Sequence, residues 1–374
     1  MTRAPRSILL VTTRQIGDVL LTTPLLRSMR RAFADAVIDV LVYTDKGGML
    51  EGNPDCNEVI AVDEHPDRRG YARLLRRIFR RYELAVTTQA NDRSHVYAWL
   101  ASTRRVGMVP DMRWSSAWKR ASCEAFALLD DVATHTVVQN LSIADLLGIA
   151  KCFEVVPPEG ANAESAIDTV LPWPRGTPCA VLHPFPMWPY KRWTQEGWTD
   201  LIRWLRGKGL HVVLSGGPDV EEKAFCGALA KGSDALDLTG RLPFGALPEL
   251  YRRARLFVGP DTSTTHLAAS CGVSTLAIYG PTNPVKWGPW PAEGGGSYDK
   301  SPYRMLGRPW QRAGNVILLQ GMQPVDLGRC VPCLQEGCER HKRSTSRCLT
   351  EMPADPVIAA AGALLASPAA MRSR

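Results

Sequence analysis

Three stretches of this 374-residue chain combine residue types that could move a proton or hold an anion. Gly17-Asp18 precedes Val19-Leu20-Leu21-Thr22-Thr23-Pro24, so a carboxylate stands where a first strand gives way to a helix. A carboxylate at a strand's carboxyl end faces the side on which α/β sheets bind ligands, and the glycine permits close approach. Helix capping accounts for the same residue types, because Asp is a favoured N-cap and Thr23-Pro24 offers a second helix start. Further on, His183-Pro184 leads through a proline-stiffened loop to Lys191-Arg192-Trp193, where fixed positive charge could dock a phosphate. Gly259-Pro260 opens into Asp261-Thr262-Ser263-Thr264-Thr265-His266, whose hydroxyls would surround the N–H groups at a helix start, an anion-binding arrangement. Here too a capping Asp261 or Thr262 and a His266 packed within its helix are the bland alternative. Between these stretches, Ser215-Gly216-Gly217-Pro218 resembles a phosphate turn without the full dinucleotide fingerprint. Glu221 and Glu222 follow at a helix start, where acids also serve the helix dipole.

These groups need a frame, and hydrophobic periodicity supplies an α/β one with parallel sheets. Strands are predicted at 8–12, 37–43, 59–62, 84–88 and 105–109, with one helical stretch running from the first turn to about Phe33. Val37 to Tyr43 is nearly all apolar, as a strand buried on both faces must be. Prolines then crowd the text from 155 to 178, which predicts an extended linker. A second series follows, with strands at 179–183, 211–215, 236–238, 256–259 and 275–279. The expected domains are therefore 1–155, a linker at 156–178, and 179–374 with a C-terminal helix. Two such domains would place their strand ends on a shared cleft.

Composition sets the partners. Forty-five Lys and Arg against 37 Asp and Glu give a net charge of +8, with seven arginines between Arg68 and Arg81. Anionic partners of any kind suit that balance: phosphorylated small molecules, anionic lipid or nucleic acid. Tyr71, Leu74, Leu75, Ile78 and Tyr82 repeat at the spacing of one helix face, and Arg73, Arg76, Arg77 and Arg80 fill much of the rest. Such a basic helix would meet phosphorylated sugar, sugar carboxylates or a membrane surface; a solvated face on a docked helix is the alternative. The apolar runs are far shorter than the roughly 20 residues that span a bilayer. The first strand is an unconvincing signal sequence, so the expected location is the cytoplasm. Of ten cysteines, six are scattered and four cluster as Cys330-x2-Cys333-x4-Cys338-x9-Cys348. That spacing contains half of a zinc motif, with His341 a substitute ligand, and predicts a structural zinc or, failing that, reduced thiols. The cluster is expected to lie apart from the loops around the cleft. A nucleic-acid-binding reading fits the charge but not the aromatic content of 7%.

Taken in order, the motifs resemble glycosyltransferase family nine, the lipopolysaccharide heptosyltransferases. They are Gly17-Asp18 with Leu21-Thr22-Thr23-Pro24, Ile38 to Leu41, His183-Pro184 to Trp193, Gly216-Gly217-Pro218, Leu238-Thr239-Gly240, and Asp261-Thr262 with His266-Leu267-Ala268-Ala269. Asn53-Pro54 and Tyr279-Gly280-Pro281-Thr282 to Trp290 look most like the heptosyltransferase III branch. Ser263 stands where many members have Gly, and the cysteine-rich tail is foreign to that branch. The resemblance implies a GT-B fold and an inverting transfer of heptose from ADP-heptose to a lipid-linked inner-core saccharide. It implies Asp18 as general base and donor contacts from Lys191, Gly217, Glu222, Thr239, Asp261, Thr262, Ser263 and His266. Arg73, Arg76, Arg77 and Arg80 would meet the acceptor at the inner face of the inner membrane. No cofactor is required by such a reaction and no Asp-x-Asp motif offers to hold a metal; nucleic acid is not an expected partner. A rival reading keeps the fold and transfers another sugar, such as a hexose, to a different envelope glycan.

Overall fold

A computed structural model describes residues 4–292, 298–306, 309–328 and 330–366. The chain divides between Pro158 and Glu159 into two compact units, with Tyr298–Lys300 joining the first. His135 N donates to the Lys300 carbonyl at 2.8 Å, one bond that holds this returning segment.

The first unit runs β1 (Ser7–Val11), α1 (Ile16–Leu20), α2 (Thr23–Ala32), β2 (Val37–Tyr43), β3 (Glu58–Val62), α3 (Arg68–Ile78), β4 (Leu84–Thr87), α4 (Asp92–Ala101), β5 (Arg105–Val109), α5 (Arg113–Ser122), β6 (Ala125–Leu128) and α6 (Thr136–Leu147). Its six strands are all parallel in the order β3-β2-β1-β4-β5-β6. Order reverses between β1 and β4, so the loop after β1 opens at the switch point, where doubly wound sheets leave a crevice. The predicted first helix is two: it breaks at Leu21-Thr22. Thr22 Oγ1 donates to the Asp18 carbonyl and Thr23 Oγ1 to that of Leu20, both at 2.8 Å, while Asn140 of α6 donates to the Leu21 carbonyl at 3.0 Å. These hydroxyls therefore satisfy backbone. β6 escaped the pattern because its burial alternates weakly over four residues at the sheet edge.

The second unit runs α7 (Ala163–Val170), β7 (Cys179–Leu182), α8 (Gln195–Gly207), β8 (His211–Leu214), α9 (Val220–Lys231), β9 (Leu236–Asp237), α10 (Leu247–Arg253), β10 (Leu256–Pro260), α11 (Ser263–Ser270), β11 (Thr275–Tyr279), α12 (Pro284–Trp287), β12 (Gln311–Ala313), β13 (Val316–Gln320), α13 (Arg347–Thr350) and α14 (Ala354–Leu365). Its sheet has the order β12-β13-β11-β10-β7-β8-β9, parallel except for the edge strand β12. The switch point here lies between β7 and β10. Helix α7 occupies the stretch expected to be an extended linker, and its Ile167 is fully buried. The β12–β13 hairpin turns through Gly314-Asn315, with Gly314 at φ +51°. That two-residue Gly-Asn turn ahead of an apolar run was a legible hairpin signal. Beneath the sheet, Trp198, Leu201 and Leu205 of α8 pack with Val357, Ala361 and Leu364 of α14 in one core.

Candidate functional site

Asp18 lies in the first turn of α1, which corrects the simple capping reading: the N-cap is Gln15, and no side chain caps the helix. The Asp18 carboxylate is buried, with the half-exposed Arg14 guanidinium 3.5 Å away. Gly17 is helical and takes no left-handed conformation.

In the second unit the loops after β7 and β10 flank the switch point, and Lys191 and Asp261 meet there. Nζ of Lys191 is 2.6 Å from Oδ2 of Asp261. Burial opposes ionisation of Asp261, but the Lys191 ammonium, His266 and a Thr282 hydrogen bond outweigh it and hold the carboxyl below its usual range. His266 has Nε2 4.0 Å from Oδ1 of Asp261. Burial pushes its imidazole down to about 4 against the pull of Asp261, so it is neutral at pH 7. Asp261 thus does not cap α11. The N-cap is Thr262, which makes no side-chain cap bond, and the N–H groups of the first turn stay open. The four hydroxyls divide their work. Thr265 donates to the Pro260 carbonyl at 2.6 Å, Thr262 and Thr264 pair at 2.8 Å, and Ser263 has no hydrogen-bond partner among the described residues. A neutral imidazole, a paired lysine and an uncapped helix start make a site for an anionic group, in which Asp261 fixes Lys191.

Beside it, Asp219 caps α9 through the N–H groups of Glu221 and Glu222. The Glu222 carboxylate is thereby released from capping. It turns onto Gly217, with Oε1 3.8 Å from Nε2 of His183, and burial raises its pKa. His183, also neutralised by burial to about 4, has Nδ1 3.4 Å from the Ser215 hydroxyl. A Cβ on Gly216 would stand 2.6 Å from Glu222 Oε1 and 2.7 Å from Thr239 Cγ2, so this turn requires glycine. Gly217, Glu222 and Thr239 are therefore neighbours, as Lys191, Asp261 and His266 are. Arg192 is spent elsewhere, 3.9 Å above the Phe185 ring and paired with Glu221 at 3.3 Å. Thr282 and Tyr279, both hydrogen-bonded to Asp261, went unmarked in the sequence because nothing local reveals a contact across some 20 residues.

The arginine helix is α3, capped by Asp67. Its buried face is narrower than predicted, Leu74 and Ile78, with Tyr71 and Leu75 exposed. Arg77 pairs with Glu58 and so has an acidic partner. Arg80 lies past the helix end at φ +53°, stacked on Phe79 and Trp99. Arg73 and Arg76 are exposed, with no ion-pair partner among the described residues.

The four clustered cysteines do not fit a metal: among the described residues no three His, Cys, Asp or Glu side chains are gathered to hold one. Cys348 is packed in the core, its thiol pushed up to about 12 by burial and the nearby sulfurs, and the Cys338 sulfur accepts the Arg347 N–H at 3.3 Å. Nor does the segment stand apart from the site loops. Leu334 N donates to the Pro281 carbonyl at 2.9 Å, and the Lys342 ammonium lies 5.1 Å from the Trp188 ring centre.

The profile of glycosyltransferase family 9 (heptosyltransferase) matches residues 71–323. The chain belongs to this family. Lipopolysaccharide heptosyltransferase 3 of Escherichia coli is 26% identical over 294 residues, 73% of this chain and 83% of that protein. Lipopolysaccharide heptosyltransferase 1 of Pseudomonas aeruginosa is 26% identical over 398 residues, 98% and 99%. Among solved structures, a family 9 glycosyltransferase from Veillonella parvula superposes with a TM-score of 0.74 at 20% identity, over 96% of this chain and 97% of that one. The E. coli ADP-heptose heptosyltransferase II gives 0.68 at 17%, over 96% and 98%. The fold of this family 9 enzyme is accordingly GT-B.

Proposed function

We propose that this enzyme transfers a heptose from ADP-heptose to the inner core of lipopolysaccharide, with inversion and without a metal. The observation that carries the reading is Lys191 held by Asp261 beside the open start of α11, a site suited to a diphosphate. Support for the donor comes from E. coli heptosyltransferase WaaC, solved with ADP and with ADP-2-deoxy-2-fluoro heptose. Support for the acceptor comes from the heptosyltransferase 3 relatives.

In the reaction the acceptor hydroxyl oxygen bonds to the anomeric carbon as the bond from that carbon to the diphosphate oxygen breaks. Its proton passes to the Asp18 carboxylate. A carboxylate of ordinary basicity suffices when proton transfer is late and the acceptor is held in place. Negative charge grows on the departing diphosphate, and the Lys191 ammonium and the N–H groups of α11 stabilise it there. Lys191 thus supplies the positive charge that a metal provides in other transferases. Attack opposite the leaving group inverts the centre. Glu222, beside Gly217 and Thr239, would accept hydrogen bonds from the donor's nucleoside, and Thr262, Ser263 and His266 would line the diphosphate. Arg73, Arg76 and Arg80 would meet acceptor phosphates or carboxylates from the cytoplasmic face of the inner membrane; Arg77 would do so only by leaving Glu58.

Incubation with a panel of nucleotide sugars and truncated core saccharides tests this. Mass spectrometry should show one heptose added from ADP-heptose, and NMR the inverted anomer. Transfer of a hexose in its place would replace the donor assignment.

A further inference from the structure

The exposed aromatic side chains of the first unit are not scattered. Trp114 of α5 is 97% exposed, Phe79 at the end of α3 55%, Trp99 of α4 47% and Trp118 of α5 42%. Contacts chain them together. The Arg80 guanidinium lies 5.9 Å from the Phe79 ring and 5.7 Å from Trp99, joining α3 to α4. Val96, one turn before Trp99, is exposed too. At the other end of α4, Trp118 packs edge-on against His95 at 6.0 Å and hydrogen-bonds Asp92, which also accepts from Lys119 at 2.6 Å. On α3, Tyr71 and Leu75 lead to Phe79 at intervals of four, an exposed apolar stripe beside the unpaired Arg73 and Arg76. A buried core would have taken such side chains, and a solvated face would not have needed them. Helices with large rings and long cations side by side match the interfacial zone of a bilayer, where rings sit at headgroup level and arginines meet lipid phosphates.

We infer that the α3–α4–α5 face of the first unit is a docking surface for an anionic lipid bilayer, with Trp99, Trp114 and Trp118 entering the headgroup layer and Arg73, Arg76 and Arg80 pairing with lipid phosphate. The charge decides the occupant: cations interleaved with the rings suit an anionic sheet, whereas a second copy of this face would set arginine against arginine. The inference rests on the proposed lipid-linked acceptor, which brings the enzyme to a membrane, but its test is independent of sugar transfer.

Acceptor-free vesicles of phosphatidylglycerol and phosphatidylcholine are mixed with the full chain and sedimented. Binding should need phosphatidylglycerol and fall at least tenfold between about 0.05 and 0.5 M salt, as the Debye length shortens. Lipids brominated near the headgroup should quench tryptophan fluorescence. The double variant Trp99→Ser/Trp114→Ser should fold normally, lose about tenfold in vesicle binding and lose most of the quenching. It should keep its turnover on a delipidated acceptor and lose turnover on acceptor in vesicles. Unaltered vesicle binding by that variant, or a concentration-dependent dimer that it abolishes without any vesicle affinity in the wild type, would overturn the surface. Failure of transfer to any acceptor, with vesicle binding intact, would strike the proposed reaction alone.

Discussion

Lys191 and Asp261 show how a single contact changes what a mutation means. Lys191→Ala removes a charge-assisted contact to the donor, worth about ten- to a hundredfold in ADP affinity. It also strands a buried carboxylate, which typically costs about 3–5 kcal/mol of stability. The double variant Lys191→Ala/Asp261→Asn separates the two losses: it should recover most of the stability and none of the ADP affinity. Calorimetric titration beside urea unfolding reads both, and a double variant binding ADP like wild type would remove Lys191 from the donor site. Asp18 poses the opposite case. Because Asp18 does not cap α1, Asp18→Asn should leave the melting temperature within about a degree of wild type while turnover falls by at least a hundredfold. Near-normal turnover would dismiss it as the base. The histidines give a pH signature. His183 and His266 are both held near 4 by burial, whereas in the unfolded chain they titrate at about 6.5. Between these values the unfolded state binds more protons, so stability falls as pH falls, by up to about 1.4 kcal/mol per unit for each histidine. Above about 6.5 neither contributes a slope. Urea midpoints at pH 8, 7, 6 and 5 check the sign, and a flat profile down to pH 5 would mean the imidazoles are solvated.

At the scale of elements, the break between α1 and α2 is what aims Asp18. Asn140 spans 119 residues to hold the Leu21 carbonyl, in a buried contact. Asn140→Ala should cost about 1–3 kcal/mol and reduce turnover with little effect on donor affinity, since only the first unit is disturbed. Equal losses in ADP affinity would deny that division. Elements of this kind mark the limit of reading from sequence. The buried strands of both sheets were legible because Leu9, Val40 or Leu276 can occupy no other place, and so were the loops that follow them. The break at Thr22 was not, because it depends on a partner in α6. Nor was the Lys191–Asp261 pair: the text placed both residues at strand ends but could not show that one neutralises the other. Helix α7 hid among prolines that predict extended chain, and its single buried Ile167 gives no periodicity to find. The cysteine spacing misled for a related reason. Cys348 is drawn into the core beside Leu349, and spacing along the chain says nothing of that pull.

Across the whole molecule the two sheets obey one rule. Each reverses strand order beside its unit's first strand, β1 or β7, and the loop that opens there carries Asp18 in one unit and Lys191 in the other. The proposed donor site thus draws wholly on the second unit, which has a thermodynamic consequence. A ligand that binds only the folded form adds RT ln(1 + [L]/Kd), about 2.7 kcal/mol at a hundredfold excess over Kd. A chain of two units need not unfold in one step. ADP should therefore raise the calorimetric transition of the second unit. Asp18→Asn should retain the full shift. Gly216→Ala, which forces a methyl against Glu222 and Thr239, should lower that transition by the roughly 1–3 kcal/mol typical of overpacking and shrink the ADP shift as well. The shift should be identical with and without a chelator, because Lys191 and α11 supply the charge. Loss of the shift on chelation would place a metal at the diphosphate, and an equal shift in Gly216→Ala would move the nucleoside away from the Gly216-Gly217 turn.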